Sequence, residues 1–244
     1  MSTQEHASYT DEDFEVWRIL FERQMETLAG KVCDEFFAGL EALGLEAGTI
    51  PEFESFGDRL EAASGWRVQA VDGQLSGRDY WGLISNRRFP SATTLRGRHE
   101  LSHAKDPDMF HDVFGHLPLL ADPAYQAFLR GMSRIALEHL EEPMMMRRLG
   151  RAYKWTIEYG VMRSDDGQRI YGAGLISSSK EIDHVFGDAA QKLPFSVEGA
   201  FATKHVPASL QPSYFVIESF QQLLESLPEI ERTLRRERDA QATA

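Results

Sequence analysis

The sequence predicts a mainly α-helical single domain with a few short strands. Apolar residues recur at helical spacing in segment after segment, stretches that alternate like strands are short, and no internal repeat or long linker divides the chain. With 42% hydrophobic and 11% aromatic residues among 244, the chain can bury one sizeable core.

Taken in order, residues 1–9 are polar and are expected to be disordered. Thr10 and Asp13 suit a capping arrangement. Phe14, Trp17, Leu20, Phe21, Met25 and Leu28 then form a helical stripe, expected to run on through Val32, Phe36, Phe37, Leu40 and Leu43 with Gly30 and Gly39 as weak points or breaks. Gly44 to Pro51 reads as a turn, and Phe53 to Ala63 as a short helix closed by Ser64-Gly65. Trp66 to Val71 alternates as a strand does, and Asp72-Gly73 is a turn signal. Tyr80 to Phe89 suits helix or strand, and Thr93 to Arg98 is a short extended piece. After Pro123, Tyr125, Phe128, Met132, Ile135, Ala136 and Leu140 mark a helix, and Pro143 to Tyr159 marks another. Ser164 to Gln168 has hairpin-turn composition. Ile176 to Phe186 starts a helix, Pro194 to Pro212 is loop-rich, and Tyr214 to Leu224 reads as a helix. After Pro228 a charged helix, Glu229 to Asp239, trails into a tail. The expected limits are therefore a disordered 1–9, a folded domain over 10–228, and a charged helix and tail at 229–244.

The formal charge of −12 argues against nucleic acid and anionic membrane surfaces as partners. One cysteine, Cys33, excludes an intramolecular disulfide and a cysteine-based zinc cluster, and its apolar helical setting suits a buried thiol. The N-terminus has no apolar core of the signal-peptide kind, and no stretch approaches the roughly 20 apolar residues of a membrane span. A cytoplasmic protein is expected.

Chemistry concentrates between Asp106 and Pro118. His111 and His116 lie five apart, a spacing that on an undisturbed α-helix points the two side chains roughly 140° from each other. Asp106-Pro107 reads as an N-cap followed by the residue suited to the first helical position, while Gly115 and Pro118 distort or end the helix near His116. A loosened helix turns the second imidazole back toward the first. On local chemistry alone, a metal site and two unrelated histidines stand about level.

The wider sequence tips that balance. PDMFHDVFGHLPLL at 107–120, GWRVQAV at 65–71, NRRFP at 86–90, YKWTIEYG at 153–160, YGAGLISS at 171–178 and QPSYFVIESF at 211–220 together resemble the pterin-dependent aromatic amino acid hydroxylases, and most closely their short bacterial phenylalanine-hydroxylating members. The resemblance spans roughly residues 10 to 225. It implies the catalytic domain of that family alone, acting as a monomer. It further implies Fe(II), tetrahydropterin and dioxygen as co-substrate, with His111, His116 and Glu158 as the iron ligands, a set of two imidazoles and one carboxylate that leaves coordination positions open. Tyr80 and Asp112, with the loop of Gly73 to Leu75, fall at the family's pterin positions. Arg96 falls where an arginine grips the substrate carboxylate by paired hydrogen bonds, with Ser177 in the same network. Pro107, His103, Lys154 and Tyr159 border the substrate ring.

This chain departs from the family at that border. His103 stands where tyrosine is usual and Lys154 where tryptophan is usual; away from that border, beside the pterin positions, Gly77 stands where animal relatives have serine. The expected activity is hydroxylation of the ring of a free aromatic amino acid, phenylalanine foremost. The alternatives are the same chemistry with altered choice (tryptophan, a substituted phenylalanine, or the meta carbon of phenylalanine), and a metal-binding relative without catalysis.

Overall fold

Thr10 starts the first helix as its spacing predicts. In the computed structural model, which describes residues 2–101, 107–206 and 209–242, its side chain and that of Asp13 reciprocally bond each other's backbone amides. Helix α1 (Asp11–Leu28) buries Val16, Trp17, Leu20, Phe21 and Leu28 on one face. Of the two expected weak points or breaks, Gly30 is a break: at φ +69° it turns the chain before α2 (Asp34–Leu43). Gly39 is no weak point. It lets α2 lie against residues 117–121, where a Cβ would stand 1.9 Å from the Pro118 carbonyl oxygen.

Helix α3 (Phe53–Ser64) leads into strand β1 (Arg67–Val71). The undecided stretch after it holds both elements: α4 (Gly77–Ser85), capped by the Ser76 hydroxyl, and β2 (Arg88–Ala92). Strand β2 lies parallel to β1, with Arg67 opposite Arg88 and Val71 opposite Ala92. Met109 and Phe110 open the next helical run, which widens into a π turn at His111–His116 and tightens into a 3-10 turn at Leu117–Ala121. Helix α5 (Pro123–Glu138), capped by Asp122, packs between α4 and the C-terminal helix. Helix α6 (Pro143–Tyr153) continues into a second π turn, Lys154–Glu158.

The predicted hairpin follows as β3 (Val161–Ser164) and β4 (Gly167–Ile170). Then come α7 (Ala173–Ile176), α8 (Ser179–Phe186), β5 (Gln191–Pro194), α9 (Val197–Ala202), β6 (Ser213–Ile217) and α10 (Phe220–Ala242). The sheet runs β4-β3-β6-β5, with β6 parallel to both β3 and β5.

Three expectations are corrected. Residues 2–9 are strapped to the domain: Ser2 N–H donates to Ala70 O, Gln4 bridges Pro51 O and Phe53 N–H, and Tyr9 donates to Thr93 O. Tyr214 to Ile217 is strand rather than helix. Pro228 lies inside α10, so 228 bounds nothing: Leu223, Ile230 and Leu234 are all buried and α10 packs on α5, which outweighs the lost backbone bond. The thiol of Cys33 is buried, as expected.

The core reaches the metal segment through aromatic rings. Phe110 and Phe114, one turn apart, stack at 4.7 Å; Trp17 meets Phe110 at 5.4 Å, and Phe21 and Phe36 meet Phe114 at 5.2 and 5.4 Å. Each such ring contributes about 1.5–3 kcal/mol on burial. The inner face of the run carrying His111 and His116 is thereby fixed against α1 and α2.

Candidate metal centre

The two π turns bring the expected ligands together. A π turn bonds residue i to i+5 and seats them one above the other, where an α-helix would splay them. The Nε2 atoms of His111 and His116 accordingly lie 3.3 Å apart, with their rings at 89°. The second turn, closed by Tyr159 N–H donating to Lys154 O at 2.9 Å, delivers Glu158. Its Oε2 lies 3.6 Å from His111 Nε2 and its Oε1 3.5 Å from His116 Nε2. His116 and Glu158 are 3% and 8% exposed, and His111 is the more open of the two imidazoles.

The tautomer of His111 follows from its neighbours. The Ser177 hydroxyl donates to Ala173 O at 2.8 Å, so toward His111 Nδ1, also at 2.8 Å, it accepts. His111 thus carries its proton on Nδ1 and turns the Nε2 lone pair toward Glu158 and His116. Burial pushes the His111 imidazole below its ordinary range, and the Glu158 carboxylate only partly opposes this. Burial alone would raise the Glu158 carboxyl, but Lys154, His116 and His111 together hold it well below the usual carboxylate range. A neutral imidazole lone pair, a second imidazole and an ionised carboxylate converge, all ligand atoms within 4.8 Å of one another. That donor set fits a divalent iron.

Asp108 braces the centre. Its carboxylate accepts from Arg96 Nε at 2.8 Å, Arg96 Nη2 at 2.7 Å and Arg96 N–H at 2.9 Å, and also from His111 N–H at 3.1 Å. Asp108 is therefore the residue that caps the metal-bearing helix. Asp106, the expected cap, lies outside the described residues, and Pro107 precedes the cap instead of occupying the first helical position. Arg96, expected to bind a substrate carboxylate, sits 8% exposed in a two-pronged grip with Asp108. Ser177 is tied directly to His111.

Of the other expected residues, Tyr80 and Asp112 gather on the β2 side. Asp112 accepts from Ala92 N–H at 2.8 Å, and burial pushes its carboxyl up to about 8. Tyr80 meets Trp81 and Tyr153 edge-on, and its hydroxyl lies 2.5 Å from that of Tyr153. Gly73, at φ +63°, and Leu75 lie on the β1–α4 loop, Gly73 exposed and Leu75 half-buried. Pro107 is exposed, and His103 lies outside the described residues. Lys154 Nζ is 4.0 Å from Glu158 Oε1, and the Tyr159 ring leans on His205 at 5.2 Å. Asp108, Tyr153 and His205 escaped the sequence reading. A carboxylate three residues before a helix-borne histidine was a usable signal for Asp108, and nothing local marks His205.

The chain is similar to proteins of one family. The sequence pattern of the biopterin-dependent aromatic amino acid hydroxylases matches residues 3–242. The phenylalanine-4-hydroxylase of Chromobacterium violaceum is 37% identical over 221 residues, covering 89% of this chain and 73% of that protein. That of Mesorhizobium japonicum is 35% identical over 241 residues, covering 96% and 86%. A crystal structure of the C. violaceum enzyme with bound iron(III) and the oxidised cofactor 7,8-dihydrobiopterin superposes with a TM-score of 0.91 at 33% identity, over 96% of this chain and 86% of that one.

Proposed function

Because this chain belongs to the biopterin-dependent aromatic amino acid hydroxylase family, we propose that it is an iron(II)- and tetrahydropterin-dependent monooxygenase that hydroxylates the ring of a free aromatic amino acid, phenylalanine foremost. The observation that carries this reading is the convergence of His111, His116 and Glu158 from two π turns. His111 and His116 would hold the iron through Nε2, and Glu158 through its carboxylate. Bound iron and pterin supply the activation of dioxygen, which the side chains cannot perform themselves.

The protein's own part is orientation. Ser177 fixes the His111 ring, and Asp108 holds the Arg96 guanidinium flat, leaving its outer nitrogen to take the substrate carboxylate. Tyr80 and Asp112, with the loop of Gly73 and Leu75, border the pterin. Pushed up toward neutral pH, the Asp112 carboxyl can donate as well as accept a hydrogen bond there. Pro107, His103, Tyr159 and Lys154 flank the substrate ring. The same chemistry with altered substrate choice is the second reading, favoured by the Lys154 ammonium beside Glu158. The charge of −12 supports a monomer with neither nucleic acid nor anionic membrane as partner, and no helix among the described residues is long and apolar enough to cross a membrane.

The test is turnover of the Fe(II)-loaded protein with tetrahydropterin, oxygen and each aromatic amino acid. A hydroxylated amino acid should form in step with pterin oxidation. His111→Ala, His116→Ala and Glu158→Ala should each lose metal and turnover together while still unfolding cooperatively. Metal binding with no pterin oxidation and no product from any aromatic amino acid would leave a metal-binding relative instead.

A further inference from the structure

Glu158 has polar company that its role as a ligand does not require. On the Oε1 side stands the Lys154 ammonium at 4.0 Å, too far for a hydrogen bond, with its side chain 43% exposed. Glu158 Oε2 and the phenol end of Tyr159 both border Gly174: a methyl group there would lie 3.3 Å from Glu158 Oε2 and 3.4 Å from Tyr159 Cζ. Against the Tyr159 ring leans His205, 5.2 Å away and tilted by 36°, with Trp155 behind it at 6.2 Å. His205 Nε2 is enclosed and has no hydrogen-bond partner among the described residues. Burial and the nearby Lys154 ammonium depress the His205 imidazole, so it is neutral, one ring nitrogen donating and the other accepting.

An unpaired enclosed nitrogen near an ammonium that has no protein hydrogen bond among the described residues makes a costly wall for a bare hydrocarbon ring. Metal loading sharpens this. Without a cation, Lys154 faces the negative charge of Glu158. A divalent ion held by two neutral imidazoles and one carboxylate leaves the centre net positive, and the ammonium loses its counter-charge. It is then best satisfied by an oxygen acceptor approaching from the open side.

We propose that Lys154 and His205, framed by Tyr159, form a subsite for an oxygen-bearing substituent on the ring of the substrate, a hydroxyl or a carboxylate. The subsite tilts the enzyme's choice toward such amino acids over phenylalanine. This rests on the hydroxylase reading above and names the substrate class within it. Lys154 only donates, whereas His205 donates or accepts, so a hydroxyl satisfies both and a carboxylate chiefly Lys154.

The experiment is calorimetric titration of the Fe(II)-loaded protein, without oxygen or pterin, with L-phenylalanine, L-tyrosine, 3-hydroxy-L-phenylalanine and 4-carboxy-L-phenylalanine. At least one oxygenated compound should bind roughly tenfold tighter than phenylalanine, the size of one hydrogen bond to a charged group. Lys154→Met should erase the preference, and Lys154→Arg should restore most of it. His205→Phe should weaken hydroxyl compounds more than the carboxylate, and the better of the two classes identifies the substituent. Phenylalanine binding as tightly as every oxygenated compound overturns the subsite, as does a preference that survives in Lys154→Met. In the first case the parent protein alone decides, whatever the variants do. Phenylalanine bound best and turned over removes the subsite and leaves the hydroxylase standing. No amino acid bound, with no hydroxylated product, removes both.

Discussion

Removing the Asp108 carboxylate tests how far the centre depends on a group that is not itself a ligand. The Asp108 and Arg96 side chains are 7% and 6% exposed, and the carboxylate accepts four hydrogen bonds, three from Arg96 and one from the His111 amide. Asp108→Ala leaves a buried guanidinium without its partner, a loss of about 3–5 kcal/mol. In a domain of this size that lowers the unfolding temperature by roughly 6–20 °C. The pH dependence has a definite sign. Burial would raise the Asp108 carboxyl, but the Arg96 guanidinium and the two amides hold it below its ordinary 3.8. A carboxyl depressed in the folded state stabilises above its unfolded value and stops doing so as pH falls through the folded one. The gap between parent and variant should be constant near neutral pH and close only below about pH 4. Differential scanning calorimetry of the metal-free proteins from pH 7 to 3.5 measures it. The double variant Arg96→Met with Asp108→Leu, which removes both charges, should recover most of the loss. A fall of less than about 2 °C at pH 7 would refute the reasoning, since the pair would then be carrying under about 1 kcal/mol.

Two further outcomes are expected beyond the turnover and titration experiments above. Gly172→Ala places a methyl 2.3 Å from the Glu158 carbonyl oxygen and 2.4 Å from the Gly160 nitrogen, both rigid backbone, so metal content and unfolding temperature should fall together. Gly150→Ala, whose methyl would meet nothing among the described residues within 4 Å beyond its own stretch of helix, should leave metal content unchanged as the control, and normal iron content in the Gly172 variant would show that the backbone at Gly160 can shift freely. The second concerns His111, which burial depresses below 6.5. The unfolded chain takes up that proton first, so the metal-free protein should lose stability as pH falls from 6.5, and His111→Gln should flatten this slope. Parallel melting curves for the two proteins over that range would remove His111 from the acid response.

Much of the fold was legible because periodicity is a local property. Trp66 to Val71, the run after Pro123 and the hairpin around Asp165-Asp166 each read correctly for that reason. Tyr214 to Ile217 misled because a short, wholly buried strand is apolar at every position, and periodicity cannot separate it from buried helix. Pro228 misled because the packing of α10 on α5 is tertiary and overrides a local breaker. Residues 2–9 misled because their partners, Ala70, Pro51 and Thr93, lie far along the chain. At the site, the His111–His116 spacing was ambiguous under α-helical geometry and intelligible only with a π turn. The family likeness named Glu158, and the geometry brought it to the same point as the histidines. The Asp108–Arg96 grip and the place of His205 come from segments meeting in space, and no single stretch of sequence records them.

The paired π turns also set what kind of genetic change this centre tolerates. Each wide turn accommodates one residue more than the α-helical arc it replaces, so the number of residues between flanking helices is itself a coordinate of the site. Losing one codon within 112–115 or 155–157 would let that arc close to α-helical winding, undoing the i to i+5 pairing and re-aiming the side chains inside it by up to about 100° around the axis. Substitutions that keep a side chain's volume leave this winding alone. The centre is thus guarded by length more strictly than by composition, and a library that varies residues around it explores far safer ground than one that inserts or deletes them.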